Sequence, residues 1–229
     1  MSFNTPILIV AWRRPDKLKR LINSLKSLKP KFIYIACDGP NKNRIGEEDA
    51  VNNVRKLIDE EIDWQCLIKK NYSKYNQGCK LGVSSAISWF FENVDEGIIL
   101  EDDCIPHPDF FNFSQAMLER YRNDERIWCI TASNFLKGKW IGEGSYFFSR
   151  YNLCWGWATW KRCWLEYDKD IKLWPLFKKN NLLTSIFKEK KEIYFWEKIF
   201  DGLYFNGQPD TWDFQWTFCC FKNNGLTIS

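Results

Sequence analysis

Along the first 130 or so residues, apolar positions alternate between a continuous run and a helical period. Pro6 to Ala11 is an unbroken apolar stretch of the length of a strand buried on both faces, and Arg13-Arg14-Pro15-Asp16 turns it into a helix with proline in its first turn. Leu18, Leu21, Ile22, Leu25 and Leu28 then recur at helical spacing and form one stripe for packing on a sheet, until Pro30 stops the helix. Lys31 to Cys37 predicts a second strand, closed by the turn residues Asp38-Gly39-Pro40-Asn41. Glu47 to Glu60 predicts a helix, Trp64 to Ile68 a third strand, and Asn76-Gln77-Gly78 the entry to a helix through Val83, Ala86, Ile87 and Phe90. Gly97-Ile98-Ile99-Leu100 is a fourth strand. Such alternation predicts an α/β domain with a mainly parallel central sheet and helices on its faces.

Pro108 to Arg120 predicts one more helix and Arg126 to Ala132 one more strand, after which the pattern changes. Gly, Trp and Tyr become frequent through Gly138-Lys139-Trp140 and Tyr151-Asn152-Leu153-Cys154-Trp155-Gly156-Trp157. A single domain over 1–229 is expected, with a first half 1–136 and a second half 137–229. In the second half, helical pieces are predicted at Leu173 to Glu189, Tyr194 to Tyr204 and Thr211 to Phe221. The closing Gly225-Leu226-Thr227-Ile228-Ser229 reads as the opening of a strand, which predicts that the natural chain continues.

Composition removes several classes. With 45% hydrophobic and 27% charged residues over 229 positions, the chain has the balance of a globular protein and not of a disordered one. The apolar run Ile7 to Trp12, closed by Arg13 and Arg14, is too short for a signal peptide or a membrane span, so a cytoplasmic protein is expected. The net charge of +4 is spread thinly and calls for no nucleic-acid partner, although a slightly basic face helps to hold an anionic substrate. Nine cysteines without a C-x-x-C pair, and one histidine, His107, indicate neither a zinc site nor a disulfide framework but buried thiols. His107 reads as a surface residue after a turn. Most of the 13 tryptophans are expected in the core. There is no P-loop, and the turn after the first strand is Trp12-Arg13-Arg14-Pro15 instead of a glycine fingerprint. ATPase, dehydrogenase and sugar-nucleotide pyrophosphorylase readings lose their main support.

What is left lies at strand ends. Glu101-Asp102-Asp103 follows the fourth strand, at the edge where open α/β sheets bind ligands, and adjacent carboxylates stay ionised only beside water, cationic side chains or a divalent metal. Arg13 and Arg14 suit a phosphate, and Asp38 suits a base N–H or a ribose hydroxyl. Each has a plainer alternative: a solvated acidic turn, two solvated cations, and a turn cap.

The order of Pro6 to Pro15, Asp38-Gly39, Asn76-Gln77-Gly78 and Glu101-Asp102-Asp103, followed by Cys154-Trp155-Gly156-Trp157-Ala158-Thr159-Trp160 and Trp212-Asp213-Phe214-Gln215-Trp216, resembles bacterial GT-A fold glycosyltransferases related to the N-acetylglucosaminyltransferase I family. The resemblance implies a Rossmann-like nucleotide-diphospho-sugar transferase fold and metal-dependent, inverting transfer from a nucleotide-sugar donor, UDP-linked by preference, to a glycan, protein or lipid-linked acceptor in bacterial glycan or polysaccharide synthesis. It implies that Arg14 meets the diphosphate, Asp38 the base and Asp102 the ribose, and that Asp103 holds Mn²⁺ or Mg²⁺. Glu101 then borders the sugar or the acceptor, and Asp213 is the general base, where the alternative is a helix N-cap. Asn76 and Gly78 shape the loop facing the nucleotide or simply start a helix, and Trp157, with Trp155, walls a sugar or packs in the core. The aromatic and basic run from Leu173 to Phe200 reads first as helices on the core and second as a peripheral contact with a membrane or a lipid-linked acceptor. Two rivals stay open: a nucleotidyltransferase that makes a sugar nucleotide, and a non-catalytic carbohydrate-binding module.

Overall fold

The computed structural model describes residues 3–136, 139 and 142–229, so Gly138 and Trp140 of the glycine- and tryptophan-rich segment lie outside the described residues. The expected alternation is present as β1 (Ile7–Ala11), α1 (Pro15–Leu25), β2 (Phe32–Cys37), α2 (Glu47–Glu61), β3 (Leu67–Tyr72), α3 (Gly78–Asn93), β4 (Glu96–Glu101), α4 (Pro108–Arg120) and β5 (Ile127–Thr131). The stripe of α1 is fully engaged, with Leu18, Leu21, Ile22 and Leu25 buried in the main core. His107 caps α4, its side chain accepting from the Asp109 amide.

One strand shifts. The third was expected at Trp64 to Ile68 and lies at Leu67–Tyr72, an edge strand whose Lys69, Lys70 and Asn71 are exposed, so it lacks the apolar run of its neighbours. Trp64 instead packs before the strand and donates its indole N–H to the Pro30 carbonyl at 3.1 Å.

The second half of the chain adds β6 (Phe148–Ser149), β7 (Trp157–Trp160), α5 (Lys161–Trp164), α6 (Trp174–Lys179), a 3₁₀ turn at Leu182–Ser185, α7 (Lys190–Asn206), α8 (Asp213–Lys222) and β8 (Leu226–Ile228). The helical piece expected over Leu173 to Glu189 is thus broken in two, because Asn181 takes a left-handed backbone between α6 and the 3₁₀ turn. The sheet order is β3-β2-β1-β4-β7-β5-β8-β6. Strands β3, β2, β1 and β4 pair in parallel, as do β5 and β8, whereas β7 runs antiparallel between β4 and β5, and β6 antiparallel to β8. The division at residue 136 is therefore not a spatial one: β7, from the second half, is the strand that joins β4 to β5. The carboxyl ends of β1, β2, β4 and β5 and the entry to β7 all lie on one edge.

Around β7 the tryptophans condense. Trp157 is 1% exposed and stacks on Trp212 at 5.7 Å between ring centroids, with Trp216 and Trp164 packed on its other sides. Among the described residues nine of twelve tryptophans are buried, and all nine cysteines are free thiols. A second, smaller core joins α6, α7 and α8 through Trp174, Phe177, Trp196, Phe200, Phe218 and Phe221.

Candidate active site

The edge where the parallel strands end opens into a cleft of about 480 Å³. Arg14 from the β1–α1 turn, Asp38 after β2, Asn76 and Gly78 at the start of α3, and Glu101 and Asp102 at the tip of β4 all line it. Strands that bury both faces leave their polar residues no place except beyond the last sheet hydrogen bond, which is why chemistry collects there.

The two arginines of the first turn have different partners. Arg13 also lines the cleft and pairs at 2.8 Å with Glu47, whose other oxygen accepts the Asn41 amide at 2.7 Å, so this arginine anchors a loop. Arg14 forks across the acidic tip, with one nitrogen on Asp102 and the other 2.9 Å from Asp103. Asp102 is buried and its second oxygen has no hydrogen-bond partner. Burial raises the Asp102 carboxyl pKa, with Arg14 opposing the rise. For Arg14, desolvation works against the charge, but its pairs with Asp102 and Asp103 prevail and its pKa is raised.

Glu101 is pushed up to about 7, chiefly by burial and then by the charges of Asp103 and Asp102, with Asp213 adding to the same side. A carboxyl whose folded pKa lies above its unfolded value favours the fold fully below about 4.5 and loses that contribution as pH rises through about 7. Glu101→Gln should therefore melt several degrees higher than the parent at pH 8, without added metal, and at nearly the same temperature at pH 4.5. Equal melting differences at both pH values would show that Glu101 carries no such penalty.

Asp38 is committed to the chain itself. One oxygen accepts from the Gly39 and Gln77 amides at 2.8 and 3.1 Å, and the other from the Gln77 amide and the Asn76 side chain at 3.0 and 2.9 Å. Its role in the structure is to peg the Asn76-Gln77 loop against the end of β2, and the turn-capping reading describes it better than a free base contact. Gly78 follows at φ +79, a backbone that side chains rarely adopt, and a Cβ there would lie 3.0 Å from Asp210.

Asp210 is the residue that sequence reasoning missed. Its carboxylate crosses 131 positions to accept the Cys79 amide at 3.2 Å and the Lys80 amide at 3.1 Å, closing the N-terminus of α3 inside the cleft. No local pattern points to such a partner; Pro209-Asp210 reads only as a turn. The strap Gly207 to Trp212 is tied down by this contact and by the Tyr167 hydroxyl on the Trp212 carbonyl at 3.2 Å. Asp213 comes next, as the first residue of α8. Trp212 holds the capping position, and the Asp213 carboxylate takes the Thr211 hydroxyl, so the N-cap alternative is not what the structure contains.

Trp157 does not line the cleft: the reading of it as a sugar wall is corrected by its place in the tryptophan cluster. The exposed ring of that segment is Trp155, 63% accessible and edge-on to Phe135, itself 66% accessible, at 6.0 Å. Gly156, at φ +75, packs against Leu100 and Ala132, which sets this aromatic pair beside the tip of β4, on the flank away from β1.

No group of three or more His, Cys, Asp or Glu residues among the described residues forms a metal-binding set. The donor chemistry at Asp102 and Asp103 nonetheless fits a hard divalent ion of the Mg²⁺ type, which needs one or two protein carboxylates and takes its other ligands from water and phosphate. The orphaned buried oxygen of Asp102 is the observation in favour, and Arg14, which now neutralises both carboxylates, would have to share them.

No family model matches the chain. Among solved structures, it is similar to a cytidylyltransferase from Leptospira borgpetersenii serovar Hardjo-bovis (strain JB197), at 10% identity and a TM-score of 0.43 over 79% of this chain and 73% of that one. It is also similar to a UDP-glucose pyrophosphorylase complexed with UDP-glucose, at 10% identity and a TM-score of 0.38 over 72% of this chain and 79% of the other. Likenesses this distant have no bearing on what the chain does.

Proposed function

We propose that the chain is a nucleotide-sugar enzyme of GT-A type that transfers a glycosyl group from a nucleoside-diphosphate donor to a hydroxyl acceptor. The observation that carries this reading is the convergence, in one cleft at the carboxyl edge of the sheet, of Arg14 and the Glu101–Asp102 tip of β4, with Asp213 at the head of α8 close enough to be felt at Glu101. A diphosphate suits that set of groups. The Arg14 guanidinium matches phosphate oxygens with its planar fork, while the Cys79 and Lys80 amides at the head of α3 are already taken by Asp210.

The chemistry follows from charge. As the bond from the sugar to the diphosphate breaks, negative charge grows on the leaving phosphate, and Arg14 stands where it stabilises that charge. A divalent ion held by Asp103 and the free oxygen of Asp102 would supply further Lewis-acid stabilisation when bound. The acceptor oxygen forms the new bond to the anomeric carbon and gives up its proton to Asp213, and a single displacement inverts that carbon. The Phe135–Trp155 pair offers rings on which an acceptor sugar can lie, on the flank of β4 opposite the donor.

A second reading, nucleotidyl transfer between a nucleoside triphosphate and a sugar phosphate, would occupy the same cleft. The three-residue Trp12-Arg13-Arg14 connection counts against it: Trp12 donates to the Gly39 carbonyl at 3.0 Å and Arg13 is spent on Glu47, so the turn offers no glycine-rich cradle for a triphosphate. A thermal-shift screen of nucleoside diphosphates, nucleotide sugars and triphosphates with Mn²⁺ and Mg²⁺, followed by assays for freed nucleoside diphosphate and for pyrophosphate, separates the two. Stabilisation by a nucleotide sugar with release of its diphosphate is the expected result, and pyrophosphate release from a triphosphate would replace the first reading by the second. In calorimetry, Asp103→Ala should remove the gain in donor affinity that the divalent ion gives the parent. A parent that binds donor equally well with and without the ion would take the metal out of the site.

A further inference from the structure

The helix α7 has a buried face and an outward face, and the outward one is not the polar surface a solvated helix presents. Trp196, Phe200 and Leu203 point into the second core. On the other side Tyr194 is 60% exposed, Phe195 51% and Phe205 67%. Tyr194 and Phe205 stand three turns and about 20° apart around the axis. Lys191 and Lys198 fall within the same arc and Lys190 and Phe195 border it; Lys198 lies 5.3 Å from the Tyr194 ring centroid. From residue 172 to 206 the chain carries seven lysines against four carboxylates. Two of those carboxylates are spent internally, Asp201 on Trp174 and Lys178, and Glu192 on the Tyr151 hydroxyl. The same module exposes Leu173, Leu176 and Leu182.

We infer that this face of α7 is a docking surface for an anionic bilayer. Aromatic rings interleaved with lysines match the boundary of such a membrane, where rings enter the headgroup layer and ammonium groups meet phosphates. No helix among the described residues is long and apolar enough to cross a membrane, so α7 lies on the surface and does not span it. From α7 the chain passes directly into the Gly207 to Trp212 strap, whose Asp210 lines the cleft, so the cleft is one short segment of chain away from a helix seated on lipid. That placement suits a lipid-linked acceptor if the transferase reading holds; the lipid contact itself does not depend on it.

Co-sedimentation with vesicles tests the inference. The full chain is mixed with phosphatidylcholine vesicles, and with vesicles of roughly one-third phosphatidylglycerol, at low and high salt. Binding is expected on the anionic vesicles, weakened by salt. Combined Lys190→Gln, Lys191→Gln and Lys198→Gln should lower the partition coefficient about a hundredfold, at roughly fivefold per lysine. Tyr194→Ser with Phe195→Ser and Phe205→Ser should lower it as well, while circular dichroism and nucleotide-induced thermal shifts stay as in the parent. Failure of the parent to sediment with anionic vesicles overturns the inference, as does equal binding by the lysine variant. Self-association of the parent that the aromatic variant abolishes, without vesicle binding, would assign the face to a second copy of the chain and likewise overturn it.

Discussion

Asp213→Asn is expected to bind the donor within about twofold of the parent and to lose turnover by a factor of roughly 10² to 10⁴, the usual yield of a positioned general base. The amide fills the same space and still accepts the Thr211 hydroxyl that orients the side chain, but it has no basic oxygen for the acceptor proton. As Asp213 is the first residue of α8 and not its cap, the helix should lose only the interaction of a negative charge with its N-terminus, about 0.3 to 1 kcal/mol. Calorimetry with the nucleotide sugar and initial rates of diphosphate release together make the test. Normal turnover with normal affinity would remove Asp213 from the mechanism and leave Glu101, the cleft carboxyl pushed up to about 7, as the base to examine next.

Trp157→Ala is expected to have the largest effect on stability. The ring is 1% exposed, sits on the strand paired with both Ile99 of β4 and Thr131 of β5, and touches Trp164, Trp212 and Trp216. Deleting a buried Trp costs about 3 to 5 kcal/mol, and for a chain of this size each kcal/mol lowers the melting temperature by roughly 2 to 4 °C. Trp155→Ala, two residues away with its ring in solvent, should change stability by no more than about 0.5 kcal/mol. Thermal melts of the pair decide the matter. Similar melting temperatures for Trp157→Ala and the parent would mean that the tryptophan cluster does not hold β7 in place.

The Trp157 contrast also marks how far the sequence was readable. The strands β1, β2 and β4 and the helices α1 to α4 were evident because each is a local pattern: a doubly buried strand has to be a continuous apolar run, and a helix packed on a sheet has to repeat at 3.6 residues. The carboxylates and Arg14 stood out for a related reason, since a strand can place a charge only where it ends. β3 escaped by a few residues because an edge strand needs no apolar run, and β7 because Trp157-Ala158-Thr159-Trp160 is too short to declare a period. In both cases the pairing partner, not the segment, makes the strand.

Asp210 and Asp38 mark the other boundary. Nothing near residue 210 announces a carboxylate bound for the amides of Cys79 and Lys80, and nothing near Asp38 tells that Asn76 and Gln77 will take up its oxygens. The sequence by itself determined the α/β class, the strand ends that carry charge, and the charged residues that gather in the cleft at the carboxyl edge of the sheet. Tertiary structure alone decided that β7 is laid antiparallel between β4 and β5, that one arginine of the first turn is spent on Glu47 while the other reaches the acidic tip, and that Trp157 is core while Trp155 is surface. Periodicity and turn chemistry act over a few neighbours and are written in the residues themselves. Which face is buried and which charge is free depend on the chain segments that arrive from a hundred positions away.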